Sequence, residues 1–167
     1  SQKETYDIPV IAAGGVWDHG DMERMILEDV GADAVQLATR FVNTDECSAG
    51  AAFKKTYMEA KTRGTVIIDS PVGLVGRAVR NNFTEKINSG QKIPGKCLYQ
   101  CLEHCKFREK GESFCILVAL EMARMGNERQ VEEHGLVFAG ENAGRTTEIT
   151  SVAQVMDSLL GIKETIE

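Results

Sequence analysis

Two glycines, Gly14 and Gly15, directly follow a short apolar run (Ile8, Val10, Ile11, Ala12), and Thr39 ends a second apolar run over residues 34–38. Paired glycines after a strand let the backbone pass close to a ligand, because no Cβ intervenes and positive φ is allowed. Backbone N–H groups at the C-terminal end of a strand, beside a helix N-terminus, suit a phosphate. Thr39, at the same end of the next strand, adds a hydroxyl donor and its own N–H. Gly14, Gly15 and Thr39 therefore describe an anion cradle across neighbouring strands; they equally describe a tight βα turn and an ordinary strand end.

A second chemical grouping lies further along. Cys97, Cys101 and Cys105 recur every four residues, so on a helix their sulfurs share one stripe, and Cys115 follows. Thiols this close in a reducing compartment point to zinc or iron–sulfur ligation rather than disulfides, with His104 as a substitute ligand. The spacing matches neither a zinc knuckle nor a ferredoxin run, and free cysteine also packs as a small hydrophobe, so packing and metal ligation both stand. Cys47 stands apart and reads as structural.

The glycine loop needs elements to hold it. Residues 8–12 read as a strand buried on both faces. Asp18 caps a helix whose apolar stripe is Met22, Met25, Ile26 and Val30, with Asp21, Glu23, Glu28 and Asp29 on the wet side. Gly31 stops it and residues 34–38 form a second buried strand. Two parallel strands joined through a helix make a βαβ unit.

The remaining chain reads as mainly helical. Residues 45–62 form a helix with Ala49, Ala52, Phe53, Tyr57 and Ala60 on one face. Residues 65–68 are a short β-branched run, 70–76 a loop, 79–87 a short helix and 88–95 a linker. Arg77, Arg80 and Asn81 suit either an anion or a solvated helix start. Residues 113–125 make the most hydrophobic helix, which should be buried, and 135–140 an extended segment leading to Asn142. Ser151 and Gln154 form a capping box for a last helix with Val152, Val155, Met156, Leu159 and Leu160 inward. His19, after the glycine loop, reads as a surface histidine.

Composition narrows the function classes. The 167 residues are 43% hydrophobic and 26% charged, ordinary for a globular core. A net charge of −6 argues against general nucleic-acid affinity. No apolar run suits a membrane span and no signal-peptide layout is present, so a cytoplasmic protein with a small-molecule substrate is expected.

The stretch IPVIAAGGVWD followed by GADAVQLATRF resembles the last two βα units of the nitronate monooxygenase (2-nitropropane dioxygenase) family, FMN-dependent TIM barrels related to FMN-dependent enoyl-acyl-carrier-protein reductases. Gly14 and Gly15 match the family's glycine pair after strand seven. Gln36, Thr39, Arg40 and Phe41 match its Gln-x-Gly-Thr-Arg-Phe run on strand eight, where Ala38 replaces a glycine. SPVGLVGRAVRN (residues 70–81) and FAGENAGR (138–145) extend the likeness more weakly.

The resemblance implies an α/β fold: the C-terminal portion of a (β/α)8 barrel plus a mainly helical, cysteine-containing extension. Residues 1–64 would be the last βα units, 65–95 a loop and linker region, and 96–167 the extension. It also implies FMN held by Gly14, Gly15, Gln36, Leu37, Ala38 and Thr39, with Asn142 a contact to cofactor or substrate. A whole barrel takes about 200 to 250 residues, so the first six strands and the catalytic histidine are expected upstream, and this chain alone is expected to be inactive and to need the missing half or a second copy. The parent would oxidise alkyl nitronates with O2. Two alternatives are reduction of an enoyl thioester by NAD(P)H through the same flavin and, in a different class, a metal-binding or interaction module built on Cys97, Cys101, Cys105 and Cys115.

Overall fold

The computed structural model describes residues 8–28 and 31–162. Its contacts group the chain into two units, Ser1–Cys47 with Glu148–Glu167, and Ser48–Thr147. The expected 96–167 segment is thus divided, its last helix grouping with the N-terminal residues.

In the first unit, β1 (Ile11–Ala13) and β2 (Ala34–Gln36) are parallel, with Ile11 opposite Ala34, Ala12 opposite Val35 and Ala13 opposite Gln36. Asp33 ties the strand starts together: its carboxylate accepts from the Val10 amide at 2.9 Å and its amide donates to the Val10 carbonyl at 2.8 Å. Between the strands, α1 (His19–Glu23) continues as a π-turn through Arg24–Glu28. The Asp18 carboxylate caps the Asp21 amide and the Asp21 carboxylate returns to the Asp18 amide, a reciprocal box that starts this helix. Gly31, at φ 62°, follows in the left-handed region. Asp29 and Val30 of the expected helix lie outside the described residues.

A short α2 (Thr39–Val42) follows β2, and α8 (Val152–Leu160), capped by the Ser151–Gln154 box, completes the unit. Val16, Val155 and Leu159 form its buried core, with Met22, Met25, Val35, Leu37 and Phe41 packed around them. Met156 and Leu160 turn outward, at 41% and 53% exposure, against the expectation that they face in. The strands depart from expectation too. Both alternate exposed and half-buried, and Ile11 is 60% exposed. The single helical layer covers the Val35 and Leu37 side, so the Ile11, Ala13, Ala34 and Gln36 side stays bare among the described residues.

The second unit begins with α3 (Ala51–Arg63), whose buried side is Lys54, Thr56, Tyr57 and Ala60. It starts six residues later than the pattern suggested, because Gly50 lies extended at the N-cap. Antiparallel strands β3 (Thr65–Asp69) and β4 (Val75–Val79) follow, joined by a turn in which the Ser70 amide donates to Leu74. The expected loop at 70–76 thus runs into a strand. Residues 137–139 lie antiparallel along the far edge of β4: Val79 donates to Val137 and Ala139 to Arg77.

The unit continues with α4 (Asn82–Asn88), α5 (Lys106–Lys110), α6 (Ile116–Met125), α7 (Glu128–His134) and a 3-10 turn (Glu141–Arg145). Its core gathers Ile68, Ala78, Phe83, Phe114, Ala119 and Leu136. Buried Asn81 binds this core. Its side chain accepts from Thr84, and its amide donates to the carbonyls of Val131 and Gly135 at 3.0 and 2.9 Å. No described helix is long and apolar enough to cross a membrane.

Candidate cofactor site

The site is built by register. Because Ala13 lies opposite Gln36, the chain leaves both strands at one level, with Gly14 and Gly15 after β1 beside Leu37, Ala38 and Thr39 after β2. Gly14 and Gly15 have φ of 91° and 77°, a pair of values that residues with a Cβ adopt only under strain. A Cβ at Gly14 would meet no atom within 4 Å, and one at Gly15 would meet only Met25 Cε at 3.4 Å. Conformation therefore demands glycine at Gly14, and the space beside its backbone is open.

Neighbouring side chains hold the loop. Val16 is buried in the core under α1, and the Trp17 amide donates to the Asp21 carboxylate at 3.0 Å. The Arg40 guanidinium lies 4.8 Å from the centre of the Trp17 ring and donates to Ser158 Oγ at 3.1 Å. This stack ties the glycine loop to the end of β2 and to α8. Trp17 was not among the residues singled out from sequence; its signal was position, two residues beyond the glycine pair.

Of the residues expected at the cradle, Gly14, Gly15, Gln36 and Ala38 are exposed and Thr39 is half-buried. Leu37 packs against the core, so only its backbone is available there. Ala38 takes the N-cap position of α2 without a side-chain cap. Asn142 lies half-buried in the 3-10 turn of the second unit. His19 is no free base: its Nδ1 donates to the Leu159 carbonyl at 2.9 Å and its Nε2 lies 3.3 Å from Glu23. Arg77 donates to Thr65 Oγ1 at 3.2 Å, and Arg80 lies 3.9 Å from Glu85.

The metal expectation is corrected. Among the described residues no three His, Cys, Asp or Glu side chains converge to hold an ion. The helix assumed for Cys97, Cys101 and Cys105 does not form: residues 97–105 are irregular and Gln100 has φ 46°, so the four-residue spacing never becomes a stripe. Cys101 is exposed, whereas Cys97, Cys105 and Cys115 are half-buried. His104 faces solvent with 87% of its side chain exposed.

Comparison with known proteins adds a family to this geometry. The profile of the family described as nitronate monooxygenase matches residues 1–161. A probable nitronate monooxygenase of Staphylococcus saprophyticus is 36% identical over 83 residues, 49% of this chain and 22% of that protein. A protein of Mycobacterium tuberculosis named (3aS,4S,5R,7aS)-5-hydroxy-7a-methyl-1-oxo-octahydro-1H-indene-4-carboxyl-CoA dehydrogenase is 35% identical over 88 residues, 53% of this chain and 24% of that one. The structure of FabK from Thermotoga maritima aligns with 98% of this chain and 47% of its own at 29% identity and a TM-score of 0.65. The chain thus spans about a quarter of the length of these curated relatives, and just under half of FabK. With nearly its whole length matched by the family profile, the chain belongs to the nitronate monooxygenase family.

Proposed function

We propose that this chain supplies the phosphate-binding end of an FMN site in a flavin-dependent oxidoreductase, and that its strands are the last two of a (β/α)8 barrel. One observation carries the reading. Two consecutive positive-φ glycines leave β1 at the level where Leu37, Ala38 and Thr39 leave β2, in a family member. The residues fit a phosphate: the backbone at Gly14 has open space beside it, the loop is exposed, and β2 ends at the same level, with the hydroxyl-bearing residue Thr39 shortly after it. The Ala38 methyl occupies the place where the family has glycine, so the closest backbone approach falls to Gly14 and Gly15.

FMN, when bound, supplies the redox chemistry, which for a nitronate monooxygenase is oxidation of an alkyl nitronate by O2. Gly14, Gly15 and Thr39 hold the phosphate, and the Trp17–Arg40 stack keeps their loop in shape. A second reading is reduction of an enoyl thioester by NAD(P)H; the relative named as a carboxyl-CoA dehydrogenase supports its thioester class of substrate. Either reaction draws on residues of the whole protein, including the base that acts on substrate.

The test is a visible absorption spectrum of the full-length protein, followed by FMN and riboflavin titrations. Retained yellow flavin, with FMN bound well ahead of riboflavin, is expected. Changing Gly14 and Gly15 together to Val should erase that preference. Colourless protein that FMN cannot reconstitute would sink the proposal. Oxygen uptake with an alkyl nitronate, against NAD(P)H oxidation with an enoyl thioester, separates the two reactions.

A further inference from the structure

The second unit contains a pocket that the flavin reading does not use. Residues 93–96, which follow α4, share the lining of this pocket with α6 and with Phe107 of α5. A cavity of about 190 Å³ lies between them, walled by Phe83, Phe107, Phe114 and Met122. Its aromatic walls are ordered: Phe83 and Phe114 meet edge to face, with ring centroids 5.3 Å apart. Gly95 passes flat against the third ring, since a Cβ there would stand 3.2 Å from Phe107 Cζ. Apolar cavities of about 150 Å³ stay dry and take up a benzene ring, so this one has room for about six to eight carbons.

The one fixed charge in the lining of this pocket is the Lys96 ammonium. Lys96 and His134, both exposed, belong to its lining, and the lining contains no Asp or Glu. That is notable in a chain of net charge −6. The remaining polar atom is the thiol of Cys115, half-buried at the N-cap of α6 and without a capping hydrogen bond. Ser113, at φ 65°, is what turns the chain so that Phe114 enters the core while Cys115 reaches the cavity wall.

We infer that this pocket binds a medium-chain monocarboxylate, its hydrocarbon among Phe83, Phe107 and Phe114 and its carboxylate at Lys96 beside His134. The apolar walls supply the affinity and the cationic rim selects an anion over a cation of equal length. Every lining residue belongs to the second unit, so the inference stands whether or not the chain holds FMN.

Cys115 provides the test. The full chain is alkylated with N-ethylmaleimide, with and without octanoate below its micellar range, and the rate at each cysteine is read by peptide mass spectrometry. Octanoate should slow Cys115 about fivefold or more and leave exposed Cys101 unchanged, while octylamine at the same concentration protects little. Lys96→Glu, on an exposed side chain, should weaken octanoate binding by calorimetry about tenfold. Val118→Trp should fill the cavity and abolish binding; if that variant does not fold, Lys96→Glu decides. Unchanged Cys115 reactivity at high octanoate, equal protection by octylamine, or full affinity in Lys96→Glu would each overturn the inference.

Discussion

Gly14 shows how much one residue can demand. With φ at 91° and no atom near its absent Cβ, its requirement is conformational and not steric. Gly14→Ala should therefore destabilise the chain by roughly 1–2 kcal/mol in urea unfolding, with no clash to relieve by a second change. A neutral result would mean that the loop relaxes and that glycine is there for a ligand alone. Glu133 makes a different residue-scale argument. The ammonium of Lys86 at 2.5 Å, and then the Asn82 amide at 2.7 Å, hold its carboxyl below the ordinary carboxylate value. A lowered carboxyl stabilises the fold above its unfolded value, about 4.3, and that contribution is lost as the pH falls through the lower folded value. Because a third of the side chain is open to solvent, the effect is small and screened by salt. NMR titration should show Glu133 deprotonating at lower pH than a free glutamate, and Lys86→Met should move it upward; an unmoved titration would remove the pair from the account.

Elements form here for two kinds of reason. Helices α1, α4, α7 and α8 each begin at a reciprocal capping box, Asp18 with Asp21, Asn81 with Thr84, Asn127 with Gln130 and Ser151 with Gln154. Such boxes are local, satisfy the first amides of a helix and can be read from residues three apart. Strand β4 forms for a nonlocal reason. It holds its place because β3 pairs with one edge and residues 137–139 with the other, partners about ten and sixty positions away in sequence. Gly76 exposes the consequence: a Cβ there would lie 2.4 Å from Phe138 Cε1, and the Phe138 carbonyl is fixed by the Tyr57 hydroxyl. Gly76→Ala should cost about 1–3 kcal/mol by overpacking, measured as a lowered urea midpoint. Phe138→Ala should recover part of that loss, and the lack of any recovery would place the cost elsewhere.

At the scale of the whole molecule, the bare side of β1 and β2 is the feature with consequences. Ile11 is 60% exposed, and among the described residues β1 and β2 pair only with each other, leaving edges that invite further strands. In the barrel reading this side would face the interior, where branched apolar side chains belong. The chain studied alone should then self-associate as concentration rises, and Ile11→Lys should reduce that association in sedimentation velocity while leaving Tm nearly unchanged. A chain that stays monomeric at high micromolar concentration would count against the exposed side as an adhesive surface.

Residues close in sequence carried their own instructions: the parallel βαβ order, the helix starts at Asp18 and Ser151, the turn glycines and the family itself could all be read from the chain. The cysteines could not, because a four-residue spacing places sulfurs on one stripe only if the backbone is helical, and residues 97–105 are not. Nor could the burial of β1 and β2, since a continuous apolar run is compatible with one covered face or two and only packing decides between them. The pocket beside Lys96 belongs to the same class. Its walls come from five segments between residues 83 and 134, and only the folding of α4 to α7 around Phe114 brings them together. Local backbone preference and side-chain capping are properties of a few adjacent residues and are written in the sequence; which distant surfaces meet depends on the packing of the whole unit, and tertiary structure alone decided it.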